Sequence, residues 1–209
     1  RVGADRMVEF MHRFGFGQAL GTDFRGQSAG KVWSRASIDD SALASMAIGY
    51  QVSVTPLQMA AATTAVANGG VLLEPHLVRA IVRDGQREAV APKVIRRAIS
   101  AETAATLTTF MEGVVDRGTA TAARLDRYQV AGKTGTAKKA IAGGYSETDY
   151  HSSFVGFVPS RRPAFTILVM IDTPRAGKYF GGDVAAPIFK RIAEAALAGT
   201  GVPPTIRPL

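Results

Sequence analysis

The chain has 209 residues, 46% hydrophobic and 20% charged, with 22 glycines, 10 prolines, no cysteine and a formal net charge of +8. This composition excludes a disordered chain, a disulfide scaffold and thiolate chemistry, and the length suits one domain or one and a half. The longest strongly apolar run, Phe165 to Ile171, falls well short of the roughly 18 residues of a membrane-spanning helix.

Residues 2 to 14 predict a helix with Val2, Met7, Val8, Phe10, Met11 and Phe14 as its apolar stripe, ended by Gly15 and Gly17. Leu20 to Ser37 reads as irregular and glycine-rich, and a second helix is expected from Asp40 to Ile48, stopped by Gly49. Thr55-Pro56-Leu57-Gln58 is a helix start: threonine caps, proline fits the first turn and Gln58 completes a capping box. That helix runs through alanines to Asn68, where Gly69-Gly70 stops it. Val71 to Ser100 looks extended, with a hairpin turning at Asp84-Gly85 between Val78–Arg83 and Arg87–Ile99. Ser100 opens a further helix whose apolar residues Leu107, Phe110, Met111, Val114 and Val115 follow helical spacing. Strands are expected over Tyr128 to Ala137, Ser152 to Val158 and Ala164 to Ile171, with Pro159 and Pro163 bracketing the last turn. A terminal helix capped by Asp183 then runs to about Ala198 with Val184, Ile188, Ile192 and Ala195 on one face. Neighbouring strands joined by short turns and flanked by helices make an α+β architecture built on an antiparallel sheet.

The positive charge is carried by 18 arginines scattered along the chain beside few aromatics. Nucleic-acid readers cluster their basic residues and interleave stacking rings, so the charge suits an anionic polymer or membrane surface better. Chemistry is concentrated in Val130-Ala131-Gly132-Lys133-Thr134-Gly135-Thr136-Ala137. As the tail of a phosphate-binding loop it fails, because that motif needs glycine where Arg127 stands and a helix where Ala140 to Gly144 follows. The other reading is the K-T-G of serine acyl-transfer enzymes acting on D-alanyl peptides and β-lactams. A strand lysine offers a fixed cation to a carboxylate, threonine hydroxyls donate to it, and glycine bares the strand for a substrate backbone. Backbone N–H groups on the same strand can stabilise an oxyanion.

Around that tripeptide, the blocks Phe14-Gly15-Phe16-Gly17, Gly49 to Met59, Ala67-Asn68-Gly69-Gly70, Arg117-Gly118-Thr119-Ala120, Ala131 to Ala137, Ser153 to Pro159 and Tyr179-Phe180-Gly181-Gly182 occur in order along nearly the whole chain. Together they resemble the transpeptidase domain of class B penicillin-binding proteins, and most closely the septal cell-division transpeptidase. The resemblance implies a β-lactamase/transpeptidase-like antiparallel sheet of five strands flanked by helices, with K-T-G bordering the active cleft. It also implies Lys133 in proton relay and carboxylate attraction, Thr134, Gly135 and Thr136 along the substrate, and the Thr136 N–H as half an oxyanion hole.

The family's S-x-x-K nucleophile motif and S-x-N motif are not matched. Asn68, the one asparagine, follows Val66 at the S-x-N position, and the one S-x-x-K string, Ser28-Ala-Gly-Lys31, lies after Phe14-Gly15-Phe16-Gly17 rather than before it. Ser28 is therefore read as a loop serine. The expectation is an incomplete domain: residues 1–201 form its C-terminal portion, residues 202–209 a proline-rich tail, and the first strands, nucleophile helix and membrane anchor lie upstream of Arg1.

By resemblance, the partners are stem peptides ending in D-Ala-D-Ala, β-lactams, the upstream part of the same protein and divisome membrane proteins, with no nucleic acid. No metal or organic cofactor is expected, and the place is the periplasmic face of the cytoplasmic membrane. A non-catalytic β-lactam or muropeptide sensor and a structural module of a cell-wall complex are the competing readings. His12, His76 and His151 have no metal-ligand spacing, with His151 expected just before a strand and Glu147 and Asp149 in a polar loop. Trp33 reads as a loop anchor, and Tyr179-Phe180-Gly181-Gly182 as a turn packed on the sheet.

Overall fold

The computed structural model describes residues 2–21 and 26–206. Part of the irregular stretch expected over 20–37 (residues 22–25) and the last three residues of the proline-rich tail lie outside the described residues. Two compact units are present, Arg1–Ala65 with Gly70–Ser100, and Val66–Gly69 with Ala101–Leu209.

In the first unit, α1 (Gly3–Arg13) lays Ala4, Met7, Val8 and Met11 against Ile38 and against Ala42, Leu43 and Met46 of α2 (Asp40–Ala47). The Asp39 carboxylate caps α2 by accepting from the Ala42 N–H at 2.7 Å. α3 (Pro56–Ala67) opens with the expected capping box: Gln58 N–H donates to Thr55 Oγ1 at 3.1 Å, and Thr55 N–H to Gln58 Oε1 at 2.8 Å. The Gln58 side chain does more than cap. Only 2% exposed, it turns Nε2 onto the carbonyls of Gln18 and Ala29, each at 2.9 Å, tying two loop segments to the start of α3.

Strands β1 (Val71–Leu73), β2 (Ala80–Arg83), β3 (Gln86–Ala89) and β4 (Val94–Arg97) make two antiparallel pairs, β1 with β4 and β2 with β3. The hairpin turns at Asp84-Gly85, both at positive φ (49° and 77°), as a two-residue loop with this sequence should. The single strand expected from Arg87 to Ile99 divides in two. Pro92 falls in the gap and has no N–H for a ladder, so β3 answers β2 while β4 crosses to β1. Gly70 has to be glycine: a Cβ would sit 2.2 Å from the Ile99 carbonyl oxygen, where Ala98 N–H reaches Gly70 O at 2.8 Å.

The second unit is a three-stranded antiparallel sheet, order β5 (Ala131–Ile141), β6 (Gly144–Val158), β7 (Phe165–Asp172). It is accompanied by α4 (Ala101–Arg117), the short α5 (Gly181–Val184) and α6 (Ala186–Thr200). Its core gathers Val115, Ala120, Ala123, Leu125, Val130, Phe154, Val158, Val169, Ala185, Phe189, Ala193 and Leu197. The Phe154 ring meets Phe189 edge to face, with centroids 4.7 Å apart.

Four expectations are corrected here. β6 begins at Gly144 rather than Ser152, so Glu147 and Asp149 are strand residues. Their charges are answered there, Glu147 by Lys138 at 2.5 Å and Asp149 by Arg175 at 3.1 Å. The terminal helix buries Ala186, Phe189, Ala193 and Leu197, not the face of Ile188 and Ile192, which are 38% and 45% exposed. Small alanines on either side of Phe189 let the backbone approach the sheet closely, which branched isoleucines do not. Asp183 lies inside α5, whose N-cap is Phe180, and α6 starts afresh after Ala185. Along α4 the buried positions are Ala104, Thr108 and Val115, leaving Phe110 66% exposed; Thr108 is buried because its hydroxyl donates to the Ala104 carbonyl at 2.9 Å.

After α6 the described part of the tail returns to the segment just before β5. Thr205 and Ile206 N–H donate to the Arg127 carbonyl at 3.0 and 3.1 Å, and the Tyr128 hydroxyl donates to Val202 O at 2.8 Å.

Candidate active site

The site is built on β5. This strand ends the sheet, so among the described residues one of its edges has no strand partner. Its glycines are explained by neighbours. A Cβ at Gly132 would lie 2.3 Å from the Phe154 ring, and one at Gly135 would lie 2.5 Å from Ser153 Oγ. The glycine of K-T-G thus leaves room for the Ser153 hydroxyl of the adjacent strand in its present rotamer.

Side chains alternate along a strand, and antiparallel partners share a face. Thr134 stands opposite Phe154 and Thr136 opposite Ser152, placing both threonines on the side that carries the Phe154–Phe189 contact. Lys133 and Gly135, opposite Val155 and Ser153, belong to the other side. The exposed Lys133 ammonium folds back onto its own strand, 3.0 Å from Thr134 O and 3.5 Å from Thr134 Oγ1.

β5 carries three lysines. Lys138 pairs with Glu147, and Lys139 with Asp172 at 2.7 Å. Lys133 has no carboxylate partner among the described residues, so its charge is available to an anion from outside.

The two threonines are fixed by distant segments. Thr134 Oγ1 lies 2.7 Å from the Thr119 hydroxyl, and Thr136 Oγ1 accepts the Gly181 N–H at 2.9 Å. With that lone pair occupied, the Thr136 hydroxyl keeps its own hydrogen to donate. Gly181 and Gly182 come this close because they lack side chains. A Cβ on Gly181 would sit 2.2 Å from Ser153 O and 2.5 Å from Gly135 O, and one on Gly182 would sit 2.2 Å from Thr119 O. The expected turn packed on the sheet at Tyr179 to Gly182 is therefore present, but as the entry to α5. Next to it, Tyr150 stacks on Tyr179 with centroids 4.3 Å apart, Phe180 tilts against Tyr179 at 4.5 Å, and the Ser152 hydroxyl donates to the Tyr179 carbonyl.

Lys133, Thr134, Gly135 and Thr136 thus occur together on one strand, as adjacency in sequence requires. Thr119 and Gly181 were not singled out as site residues. Each sits in a short glycine-containing block, the only sequence signal that marks them, and only the fold brings them to β5. His151 lies within β6 rather than before a strand, opposite Ala137 and Asp172, with Nδ1 3.6 Å from Asp172 Oδ1. The Asp172 carboxyl is made more acidic than usual, first by the hydrogen bond from Lys139 and then by that from Thr173. Ser28 is an exposed loop residue of the first unit whose Oγ accepts the Gly30 N–H at 3.1 Å.

A family model described as the penicillin binding protein transpeptidase domain matches residues 1–194. The chain belongs to the penicillin-binding protein transpeptidase family. Stage V sporulation protein D of Bacillus subtilis is 36% identical over 207 residues, covering 98% of this chain and 32% of its own length. The probable peptidoglycan D,D-transpeptidase PenA of Neisseria meningitidis is also 36% identical, with 98% of this chain and 34% of that protein aligned. Penicillin-binding protein 3 of Mycobacterium tuberculosis complexed with ampicillin superposes with a TM-score of 0.89 at 35% identity, over 99% of this chain and 48% of that one. The apo transpeptidase domain of Burkholderia pseudomallei penicillin-binding protein 3 gives 0.84 at 33% identity, over 98% and 60%. The antiparallel, helix-flanked architecture is that of the transpeptidase domain. This transpeptidase-family chain spans about a third of the length of the curated relatives it matches.

Proposed function

We propose that this chain is the substrate-binding wall of a peptidoglycan D,D-transpeptidase: residues 1–201 as the C-terminal portion of the catalytic domain, and residues 202–209 as its tail. The observation that carries the reading is the Lys133 ammonium, without a carboxylate partner among the described residues and 3.5 Å from the Thr134 hydroxyl, on a strand that also carries Thr136 and has an edge without a strand partner. A peptide ending in D-Ala-D-Ala lays its terminal carboxylate against that cluster and its backbone along the edge of β5. A serine supplied by sequence beyond this chain attacks the penultimate D-alanine carbonyl. The Thr136 N–H takes half of the resulting oxyanion, and terminal D-alanine leaves. The amine of a second stem peptide then attacks the acyl-enzyme and forms the cross-link.

β-Lactams, with a carboxylate or, in monobactams, a sulfonate beside a strained acyl group, occupy the same place. Structures of the Mycobacterium tuberculosis relative with ampicillin and aztreonam support this. A septal role, divisome partners and a periplasmic location at the cytoplasmic membrane belong to the same proposal.

The test uses the longer protein that carries this chain. Labelling by a fluorescent penicillin is expected to fall at least a hundredfold in Lys133→Ala and to be unchanged in Ser28→Ala, with the adduct mapped by mass spectrometry to a serine outside these 209 residues. An adduct on Ser28, or undiminished labelling of the Lys133 variant, overturns the reading.

A further inference from the structure

Thr119 lies fifteen residues before Thr134 in the chain, outside the strand that carries K-T-G. Nonetheless the two hydroxyl oxygens are 2.7 Å apart. Two tight contacts put it there. At the end of α4, Gly118 and Ala120 both send their N–H to the Val114 carbonyl at 3.1 Å. A Cβ on Gly118 would fall 2.8 Å from Val114, so the turn closes only with glycine. On its other side, the Thr119 carbonyl is packed against Gly182, which a side chain there would push away. The side chain is thus held from two directions with its hydroxyl on Thr134.

The consequence follows from counting lone pairs. A hydroxyl oxygen has two acceptor sites and one hydrogen. The Lys133 ammonium, 3.5 Å from Thr134 Oγ1, can only donate. If the Thr119 hydroxyl also donates, both acceptor sites of Thr134 are occupied and its hydrogen is left for an incoming anion. If Thr134 instead donates to Thr119, it has nothing to offer that anion.

We propose that Thr119 is a positioning residue for carboxylate recognition: it donates to Thr134 Oγ1 and so commits the Thr134 hydroxyl to donate to the carboxylate of the bound peptide or β-lactam. This deepens the transpeptidase reading above and rests on it. Thr119 does not itself touch the ligand, and acts through the direction it imposes on its neighbour's hydrogen.

The test compares two acylating probes on the longer protein: benzylpenicillin, with a free carboxylate, and its methyl ester, with that charge masked. In Thr119→Val, which keeps the branched shape and removes the hydroxyl, the preference for the free acid over the ester is expected to fall about tenfold, the scale of one hydrogen bond to a charged group. Thr119→Ser, which restores the donor, is expected to recover most of that preference. The loss should appear in the saturation constant for the free acid more than in the limiting acylation rate. Equal loss for both probes means that Thr119 only holds the fold and overturns the proposal, as does an unchanged preference. Lys133→Ala is measured in parallel. If it loses acylation while Thr119→Val keeps the wild-type preference, the positioning proposal fails alone. If Lys133→Ala acylates normally, the transpeptidase reading itself fails.

Discussion

Replacing Gln58 by leucine tests whether one buried amide organises the first unit. The side chain is 2% exposed and makes three short hydrogen bonds: Nε2 to Gln18 O and to Ala29 O at 2.9 Å, and Oε1 from Thr55 N–H at 2.8 Å. Leucine is close to glutamine in volume, so the change leaves little cavity and isolates the polar loss. Each bond contributes about 1 kcal/mol net, and the part-buried backbone groups left unpaired add a partial desolvation cost, for a loss of about 3–5 kcal/mol. Burying the leucine offsets part of this, leaving about 3 kcal/mol of destabilisation. Urea unfolding followed through Trp33, the one tryptophan of the chain and a residue of the first unit, is a direct assay. With a denaturant slope of about 2 kcal/mol per molar, the midpoint should drop by about 1.5 M. A drop below about 0.3 M would mean that water or loop movement satisfies the two carbonyls once the amide is gone, and the argument for Gln58 as a tie would be wrong.

Gly181→Ala forces a methyl into the carbonyls of Ser153 and Gly135, so β5 and β6 must shift. A stability loss of about 2 kcal/mol by thermal unfolding is expected, together with weaker penicillin labelling of the longer protein; wild-type behaviour in both would show that the α5 entry is free to move. Asp172 supplies a pH test. Its folded carboxyl is more acidic than its ordinary 3.8, chiefly through Lys139, so its stabilising contribution is present above pH 3.8 and is lost as pH falls through the depressed value. Asp172→Asn should therefore flatten the stability profile below about pH 4, and a variant with the wild-type acid dependence would remove Asp172 from the account.

Local signals were legible where the physics is local. The Thr55–Gln58 box and the Asp84-Gly85 turn each depend on residues within one turn of chain, and both form as read. K-T-G lies on a strand for a similarly short-range reason, although the need for Gly132 just before it emerges only when the Phe154 ring of β6 comes alongside. Burial faces were harder. α6 offers two apolar stripes, and hydrophobicity favours the bulkier one, whereas the sheet selects the stripe that lets Phe189 meet Phe154; in α4 burial extends to Ala104 and Thr108 beside Val115 of the expected face. Residues 144–151 look like loop because they are polar, but their charges are neutralised across the hairpin and by Arg175, which periodicity does not register. Thr119 was legible only as part of a block, since nothing local ties it to a threonine fifteen residues on.

β7 carries eight residues, Phe165 to Asp172, and among the described residues it pairs with β6 alone. Its outer edge is long, strongly apolar through Ile171, and free of the lysines, prolines and bulges by which proteins discourage strand-to-strand contact. Produced in isolation, this chain should therefore add copies of itself edge to edge, and its solubility will depend on whether something covers β7.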